Sequence, residues 1–312
     1  MRNRLLILAG ILLVCCVAYL TVGARGNWDF VLAFRSQKLV ALLLVGGAIS
    51  VSTVVFQTIT GNRILTPAIM GFDALYLLIL SALVLAFGGY GYSALDPMLM
   101  MVLNVILLCG GALLLFGTLL RTGEGDIMRM ILTGVVLAVM FRSVTSFILR
   151  VIDPNEYAVV QASSFARFSR VDVELMGLAL LLCAGTFWAI WRLRFRLDVL
   201  ALGKVAATSL GEDMLKGQRV ALLLISILVS VSTALVGPVA FFGLLVTSMT
   251  YVILPTYRHA VLLPGAVMMS GIVLVGGQTV MERVLKLSTP LSVVVEFAGG
   301  LVFLILLLRS FK

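Results

Sequence analysis

The residues that could carry chemistry are few in this chain. Its one histidine, His259, lies between two apolar stretches, a placement typical of a solvated turn rather than of a metal ligand. The cysteines at positions 15, 16, 109 and 183 lie inside apolar runs, without metal-site or CxxC spacing. The sequence contains no glycine-rich Lys-Ser/Thr loop that would hold nucleotide phosphates. We therefore expect no catalytic residue, no metal site and no cofactor in this chain.

The composition places the chain in a membrane. Hydrophobic residues make up 62% and charged residues 12% of the chain, and its mean hydropathy is +1.17. A soluble domain has about a quarter of its residues charged, so this chain has too little polar surface to face water. The net charge of +9 comes from short basic clusters between apolar runs, which does not indicate a nucleic-acid partner.

About ten apolar segments are long enough to cross a bilayer, which needs about 20 apolar residues per helix. An all-α integral membrane fold with a single domain over 1–312 is therefore predicted. The segment 241–254 is short and follows Gly237–Pro238, so we expect it to begin as a broken helix. The predicted spans are 5–22, 39–59, 72–88, 97–120, 130–150, 173–193, 219–236, 241–254, 260–280 and 291–308.

The distribution of Lys and Arg predicts the orientation. With the N-terminus inside, fourteen of the 23 basic residues fall in cytoplasmic segments and eight fall outside, with Arg142 inside a span. Positive residues are enriched on the cytoplasmic side of membrane proteins. Both termini are therefore predicted to be cytoplasmic.

Two polar segments are longer than simple connections. The first, 194–218, carries apolar residues near helical spacing, which indicates short amphipathic helices on the cytoplasmic face. These helices would either rest on lipid or dock a cytoplasmic partner. The second, 153–172, is either a solvated connection on the outer face, or a cap over a pathway or a contact for a soluble partner.

Several motifs carry a family resemblance. Leu202–Gly203 and, after three residues, Ala207–Thr208–Ser209–Leu210–Gly211 form one of them; Gln57, Asn62 and Pro67 form another, with Arg63 where the pattern has proline. In their order and spacing these motifs resemble the iron-chelate and vitamin B12 permease family of ABC importers. The stretches at 56–76 and 256–265 are similar to its ferric-siderophore branch.

The resemblance implies a type II ABC importer permease in a bacterial inner membrane. It implies three protein partners: a cytoplasmic ATP-binding subunit, which would hold the ATP and Mg²⁺, a second permease copy or paralogue, and a periplasmic or extracellular siderophore-binding protein. The segment at about 197–216 would couple to the ATPase. The coupling residues would be Leu202, Gly203, Ala207, Ser209, Leu210 and Gly211.

On the outer face, the resemblance assigns Arg35, Lys38 and Arg283 to docking of the binding protein, because basic residues at these positions accept carboxylates in the family. The alternative for each is a basic side chain that reaches the interface from a helix end.

Within the membrane, Gln57, Arg142 and Glu296 are the candidates for the translocation pathway. Charges at that depth usually face a partner or a water-filled cavity. Arg142 would attract an anionic ferric chelate, or Arg142 and Glu296 would pair with each other and be structural.

The predicted function is the import of a ferric siderophore by a permease that a separate ATPase drives. Cobalamin and haem are alternatives within the family. An ion-coupled secondary transporter is the alternative from another class, with Glu296 and Asp73 as the carboxylates it would use. The sequence does not distinguish a homodimer from a heterodimer of permeases.

Overall fold

The computed structural model describes residues 1–23, 28–122, 127–164, 166, 173–285 and 291–310, and these form helices joined by short turns. The first half of the chain contains α1 to α6, with a π-helical turn at Ala68–Phe72 before α3. These six helices are α1 (Arg2–Thr21), α2 (Trp28–Thr60), α3 (Asp73–Ala94), α4 (Pro97–Thr122), α5 (Ile127–Val151) and α6 (Pro154–Ser163).

The second half contains α7 to α13, of which α8 and α12 are very short. Helix α11 continues through π-helical turns at Ile272–Gly276 and Val280–Val284, so that one apolar stretch runs from His259 to Val284. The helices are α7 (Val173–Leu200), α8 (Lys204–Ser209), α9 (Met214–Val236), α10 (Phe242–Ile253), α11 (His259–Gly271), α12 (Gly277–Thr279) and α13 (Leu291–Ser310).

Each of the ten predicted spans corresponds to a helix. Eight helical stretches in the described part of the chain are long and apolar enough to cross a membrane, and Phe242–Ile253 and Leu291–Ile305 are shorter apolar helices. Helix α2 begins at Trp28, eleven residues before the predicted span. The predicted span begins later because Asp29, Arg35 and Lys38 lower the hydropathy of the first turns of the helix.

The short segment at 241–254 begins with a break, as predicted. Helix α9 ends at Val236, Gly237 has φ 97°, and α10 begins only at Phe242. The backbone between these helices is not helical, and Val239 within it is buried. Irregular backbone is tolerated inside a membrane where protein covers it.

Two helices form the centre of the molecule. In α2 and α9, 78% and 72% of the most apolar stretch is buried, whereas in α1 only 11% is buried. Helix α2 packs against α9 and α11, and a second, smaller core lies between α3 and α5. Gly243 of α10 lies against Thr53 of α2, so the two helices approach more closely than a larger residue would allow.

The polar segment 153–172 contains a helix, α6, which the sequence analysis did not predict. Asp153 caps α6, because its carboxylate accepts the Asn155 N–H at 3.0 Å, and Pro154 occupies the first helical position. Glu156 accepts the Gly89 N–H at 3.2 Å, which fixes α6 against α3. Residues 165 and 167–172 lie outside the described part of the chain.

Candidate functional site

The segment 202–211 forms a compact turn–helix–turn between α7 and α9. Gly203 (φ 86°) precedes α8, and Gly211 (φ 83°) follows it. Both residues adopt left-handed backbone conformations that favour glycine, as the predicted tight turns require. The Glu212 N–H donates to the Ala207 carbonyl at 2.9 Å and closes the second turn.

The side chains of this segment divide into an inner and an outer set. Ala207 is completely buried, whereas Leu202, Val205 and Leu210 are 61%, 83% and 64% exposed. Ser209 is exposed, and its hydroxyl donates to the Val205 carbonyl at 3.0 Å. Three apolar side chains exposed on so short an element form a surface that either a protein partner or lipid can cover.

An ion pair joins the base of the segment to α7. Arg196 Nε lies 2.9 and 3.1 Å from the two carboxylate oxygens of Glu212, and Arg196 Nη2 lies 2.5 Å from one of them. Asp213 caps α9, since its carboxylate accepts the Lys216 N–H at 3.1 Å. This backbone hydrogen bond is the main reason why the pKa of Asp213 lies below its usual value. A side-chain hydrogen bond with Lys216 lowers the pKa further, by less.

The prediction that His259 is a solvated turn residue is wrong. The side chain is 1% exposed and lies at the start of α11. Asp198 Oδ1 accepts the His259 N–H at 2.7 Å and lies 2.6 Å from His259 Nδ1. On the other side of the ring, Nε2 lies 2.7 Å from Thr58 Oγ1 in α2. A histidine between two apolar stretches can be buried because these two partners satisfy both of its ring nitrogens.

A cavity of about 150 Å³ lies beside this histidine. Its wall includes Arg63, whose guanidinium lies 4.5 Å from the Tyr251 ring centre and 5.2 Å from that of Tyr257. Such distances allow cation–π attraction between the guanidinium and each of the two rings. The 61–67 turn, in which the family pattern has proline at position 63, is therefore held to the loop before α11.

Gln57 joins three parts of the chain at the same cavity. It is 3% exposed; its Nε2 donates to the Arg63 carbonyl (2.6 Å) and to Thr247 Oγ1 (3.1 Å). Its Oε1 accepts the Tyr251 hydroxyl at 3.0 Å. These bonds tie α2 to α10 and to the 61–67 turn, so Gln57 positions helices whatever its part in the pathway.

On the opposite face, Arg35 is buried rather than free. It is 5% exposed, and its Nη1 donates to the carbonyls of Tyr19 (3.2 Å), Leu20 (2.8 Å) and Val22 (3.0 Å). These carbonyls lie at the end of α1, where a helix leaves acceptors unpaired and favours a cation. The structure thus uses Arg35 to hold α1 against α2.

The other two predicted docking residues are more accessible. Lys38 Nζ lies 4.7 Å from the ring centre of the exposed Phe34. Arg283 lies close enough to Arg35 for electrostatic repulsion, and its Nη2 lies 3.6 Å from Glu282. The structure therefore brings Arg35 and Arg283 together, and their docking role stays a prediction.

The intramembrane charges meet around Asp73. This carboxylate interacts electrostatically with both predicted residues: Arg142 attracts it and Glu296 repels it. Glu296 is half-buried on α13 and accepts the N–H of Ala240, within the break between α9 and α10. Asp73 also lines a cavity of about 20 Å³ together with Thr66 and Thr233. This volume is about that of one water molecule.

Arg142 belongs to a polar stripe along one face of α5. The stripe is largely exposed in the single chain, although it lies within the apolar stretch Leu132–Val151. Its members are Arg142, Ser143, Ser146 and Arg150, and together with Val139 and Phe147 they line an open groove along this helical face.

Sequence reasoning missed the contact between Asp198 and His259, which are 61 residues apart. One available signal was that both residues lie at the ends of predicted spans that face the same side. The predicted topology therefore allowed Asp198 and His259 to be considered as neighbours. Periodicity alone does not show which helix ends are neighbours.

The chain matches a family model and several curated proteins over nearly its whole length. The model described as the FecCD transport family matches residues 5–309. The chain is 43% identical to the petrobactin import system permease protein YclO of Bacillus subtilis (strain 168), over 100% of this chain and 99% of that protein. It is 31% identical to the petrobactin import system permease protein FatC of Bacillus anthracis, over 88% of this chain and 78% of that protein.

A solved structure shares the fold. An inward-facing conformation of a putative metal-chelate type ABC transporter aligns with a TM-score of 0.85 over 99% of both chains. The sequence identity of 19% makes this a likeness of fold.

Proposed function

We propose, from the premise that this chain belongs to the FecCD transport family, that it is the permease subunit of an ABC importer for a ferric siderophore. The observation that carries the proposal is the 43% identity, over the whole chain, to a permease named for petrobactin import. The second relative, at 31% identity, is also named for petrobactin import. Petrobactin or a chelate of the same class is therefore the proposed cargo.

The proposed location is the bacterial inner membrane, with a single permease domain and both termini in the cytoplasm. Support comes from the eight long apolar helices of the described chain and from the excess of basic residues on the side of the termini. In this orientation the 202–211 segment faces the cytoplasm.

A cytoplasmic ATP-binding subunit is the proposed motor, and the 202–211 segment is its proposed seat. An exposed apolar surface is formed by Leu202, Val205 and Leu210. The conformation of the segment is stabilised by the buried Ala207 and by the Arg196–Glu212 ion pair. Nucleotide-driven movement of the motor would shift the permease between two states if it contacts this surface differently in each. ATP and Mg²⁺ would belong to that subunit.

A second permease, identical or paralogous, is proposed to cover the stripe on α5. Arg142 would otherwise face hydrocarbon within an apolar span, which is costly. A groove between two such stripes would offer cations and hydroxyls to an anionic ferric chelate. Arg142 is therefore proposed to lie on the translocation pathway, with Asp73 and Glu296 beside it.

A soluble siderophore-binding protein is proposed to dock on the opposite face. Lys38 and Arg283 are the side chains available there, because the Arg35 guanidinium is engaged with carbonyls of α1. Several weak charge pairs fix an orientation even where each contributes little to affinity.

An ion-coupled secondary transporter is not favoured. The two relatives that support the siderophore proposal are permeases of petrobactin import systems, and Glu296, one of the two carboxylates that such a transporter would need, already accepts the Ala240 N–H. A transporter of that class would also leave the exposed 202–211 surface without a role.

Deleting the gene in its host tests the proposal. We expect uptake of radiolabelled iron from ferric petrobactin to fall to background, and a plasmid copy of the gene to restore it. Uptake of labelled cobalamin and haem, measured in the same strains, is expected to be unchanged. Loss of cobalamin or haem uptake, with siderophore uptake intact, would contradict the proposed cargo.

A further inference from the structure

A partly buried chain of hydrogen bonds connects the base of the 202–211 segment to two membrane helices. Asp198 lies in the last turn of α7, four residues before Leu202, and its side chain is 29% exposed. His259 begins α11 and Thr58 lies near the end of α2. Three different helices thus meet at one imidazole ring.

The contacts within this chain are short and fix the ring on both sides. The Asp198 carboxylate accepts the His259 N–H at 2.7 Å and lies 2.6 Å from Nδ1, so a single oxygen, Oδ1, holds the backbone and the side chain of His259. A carboxylate only accepts hydrogen bonds, so Nδ1 carries the hydrogen.

The contact between His259 and Thr58 completes the connection to α2. Thr58 Oγ1 lies 2.7 Å from Nε2 and 2.8 Å from the Val54 carbonyl within α2. The hydroxyl has one hydrogen to donate, to Val54 or to a neutral ring. In the first case the ring must carry a second hydrogen, on Nε2, and this imidazolium donates to Oγ1. In the second case the neutral Nε2 accepts from the hydroxyl.

The neighbourhood of Thr58 extends this network into α10. Gln57, the adjacent residue, bonds to Thr247 and Tyr251 of α10 and to the 61–67 turn. Hydrogen bonds therefore link Asp198 to α11 and α2 and, through the residue next to Thr58, to α10. The ion pair between Arg196 and Glu212, in contrast, connects the segment only to α7.

We propose that Asp198, His259 and Thr58 are positioning residues that transmit movement of the 202–211 segment to α2 and α11 during transport. The proposal rests on the proposed function, since it assumes an external motor at that segment. Energetic coupling between sites needs packed or hydrogen-bonded elements that respond together, and this chain supplies such a connection.

The test measures the number of chelate molecules imported per ATP hydrolysed, in vesicles that contain the complete importer. Asp198→Ala removes the carboxylate, and Thr58→Val removes only the hydroxyl while keeping the shape of the side chain. In assembled complexes that hydrolyse ATP, we expect this ratio to fall by about five-fold or more in both variants. A role limited to folding would lower the yield of complex and leave the ratio unchanged.

Two control variants match these changes. Thr60→Val removes a hydroxyl on the same helix that bonds only within α2, to Phe56 and Gln57. Asp96→Ala removes a carboxylate that accepts a backbone N–H, from Leu99 at 3.0 Å, on the opposite face. Both controls are expected to keep the wild-type ratio.

A wild-type ratio in Asp198→Ala or in Thr58→Val complexes overturns the proposal, whatever their yield. So does an equal fall in the controls. The wild-type importer separates this outcome from a failure of the proposed function: if it accumulates chelate with ATP, the motor is real and only the transmitting role of the three residues is refuted.

Discussion

Arg196 Nε lies 2.9 and 3.1 Å from the two carboxylate oxygens of Glu212, which closes the base of the 202–211 segment with a two-pronged ion pair. The Arg196 side chain is 50% exposed and that of Glu212 is 15% exposed. Solvent therefore screens the pair, and its contribution is about 1 kcal/mol or less. Its geometry matters more than its strength, because it sets how the segment is presented.

The geometry of the Arg196–Glu212 pair predicts that replacing Arg196 by Lys, which keeps the charge, weakens docking of the ATP-binding subunit. Arg196→Lys replaces a planar fork by a point charge and cannot keep both contacts. We expect co-purification of the ATP-binding subunit to fall by about two- to five-fold. The exchanged pair Arg196→Glu with Glu212→Arg should recover part of this loss. Full co-purification of Arg196→Lys at high salt would show that the pair has no part in docking.

The exposed surface of the segment predicts a stronger effect. Leu210→Glu places a charge on an apolar contact that is 64% exposed in the single chain. We expect co-purification of the ATP-binding subunit to fall by about ten-fold or more, because a central apolar contact is lost. Leu210→Met, the matched control, keeps the apolar contact and should bind normally. Normal binding by Leu210→Glu would exclude this surface as the seat.

Ala207→Glu, in contrast, is not a clean test of docking. Ala207 is fully buried, so a carboxylate there disrupts the segment itself. Loss of the subunit in that variant would report unfolding of the segment and docking together.

Substitutions of Arg35 and Lys38 are predicted to have different effects, the first on stability and the second on docking of the binding protein. Arg35→Ala removes the donor to three carbonyls, at a cost of about 1–3 kcal/mol. We expect the melting temperature of the detergent-solubilised protein to fall by several degrees. Lys38→Glu should leave it unchanged and weaken affinity for the binding protein.

Both results for this pair can be contradicted directly. An Arg35→Ala protein that melts normally would show that the carbonyl contacts contribute nothing. Unchanged affinity of Lys38→Glu for the binding protein would remove Lys38 from the docking surface. Ser36→Ala, on the same helix and exposed, serves as the control for both measurements.

Arg142 is predicted to act on the cargo. Arg142→Gln removes a cation from the α5 stripe and should raise the KM for an anionic ferric chelate by about three- to ten-fold. Arg142→Lys keeps the charge and should stay within about two-fold of the wild type. If Asp73→Asn restores an impaired Arg142→Gln protein to full stability and unchanged KM, the two residues form a structural pair and the pathway role is wrong.

Hydropathy predicts the ten apolar helices found among the described residues, because a long apolar run is stable in lipid as a helix whose backbone bonds are satisfied internally. Gly237–Pro238 likewise predicted the break before α10, since neither residue continues a helix well. Gly203 and Gly211 predicted the turns of the 202–211 segment for the same local reason.

Side-chain partners were not predictable in this way. Arg35 looked like a surface charge and His259 like a solvated turn residue, but each is buried against groups distant in sequence. Arg35 meets the end of the preceding helix, and His259 meets Asp198 and Thr58. Such contacts depend on which helix ends are neighbours, and hydrophobic periodicity contains no such information. Helix α6 was missed although Asp153 and Pro154 form a recognised helix start.

The central claim is that an external ATPase supplies the work of transport. Purified protein in sealed vesicles, with and without its ATP-binding subunit, tests this most directly when accumulation of ferric chelate is measured against its gradient. Uphill accumulation is expected only when the subunit, the binding protein and ATP are all present. Uphill accumulation by the permease in vesicles that lack the ATP-binding subunit would contradict it.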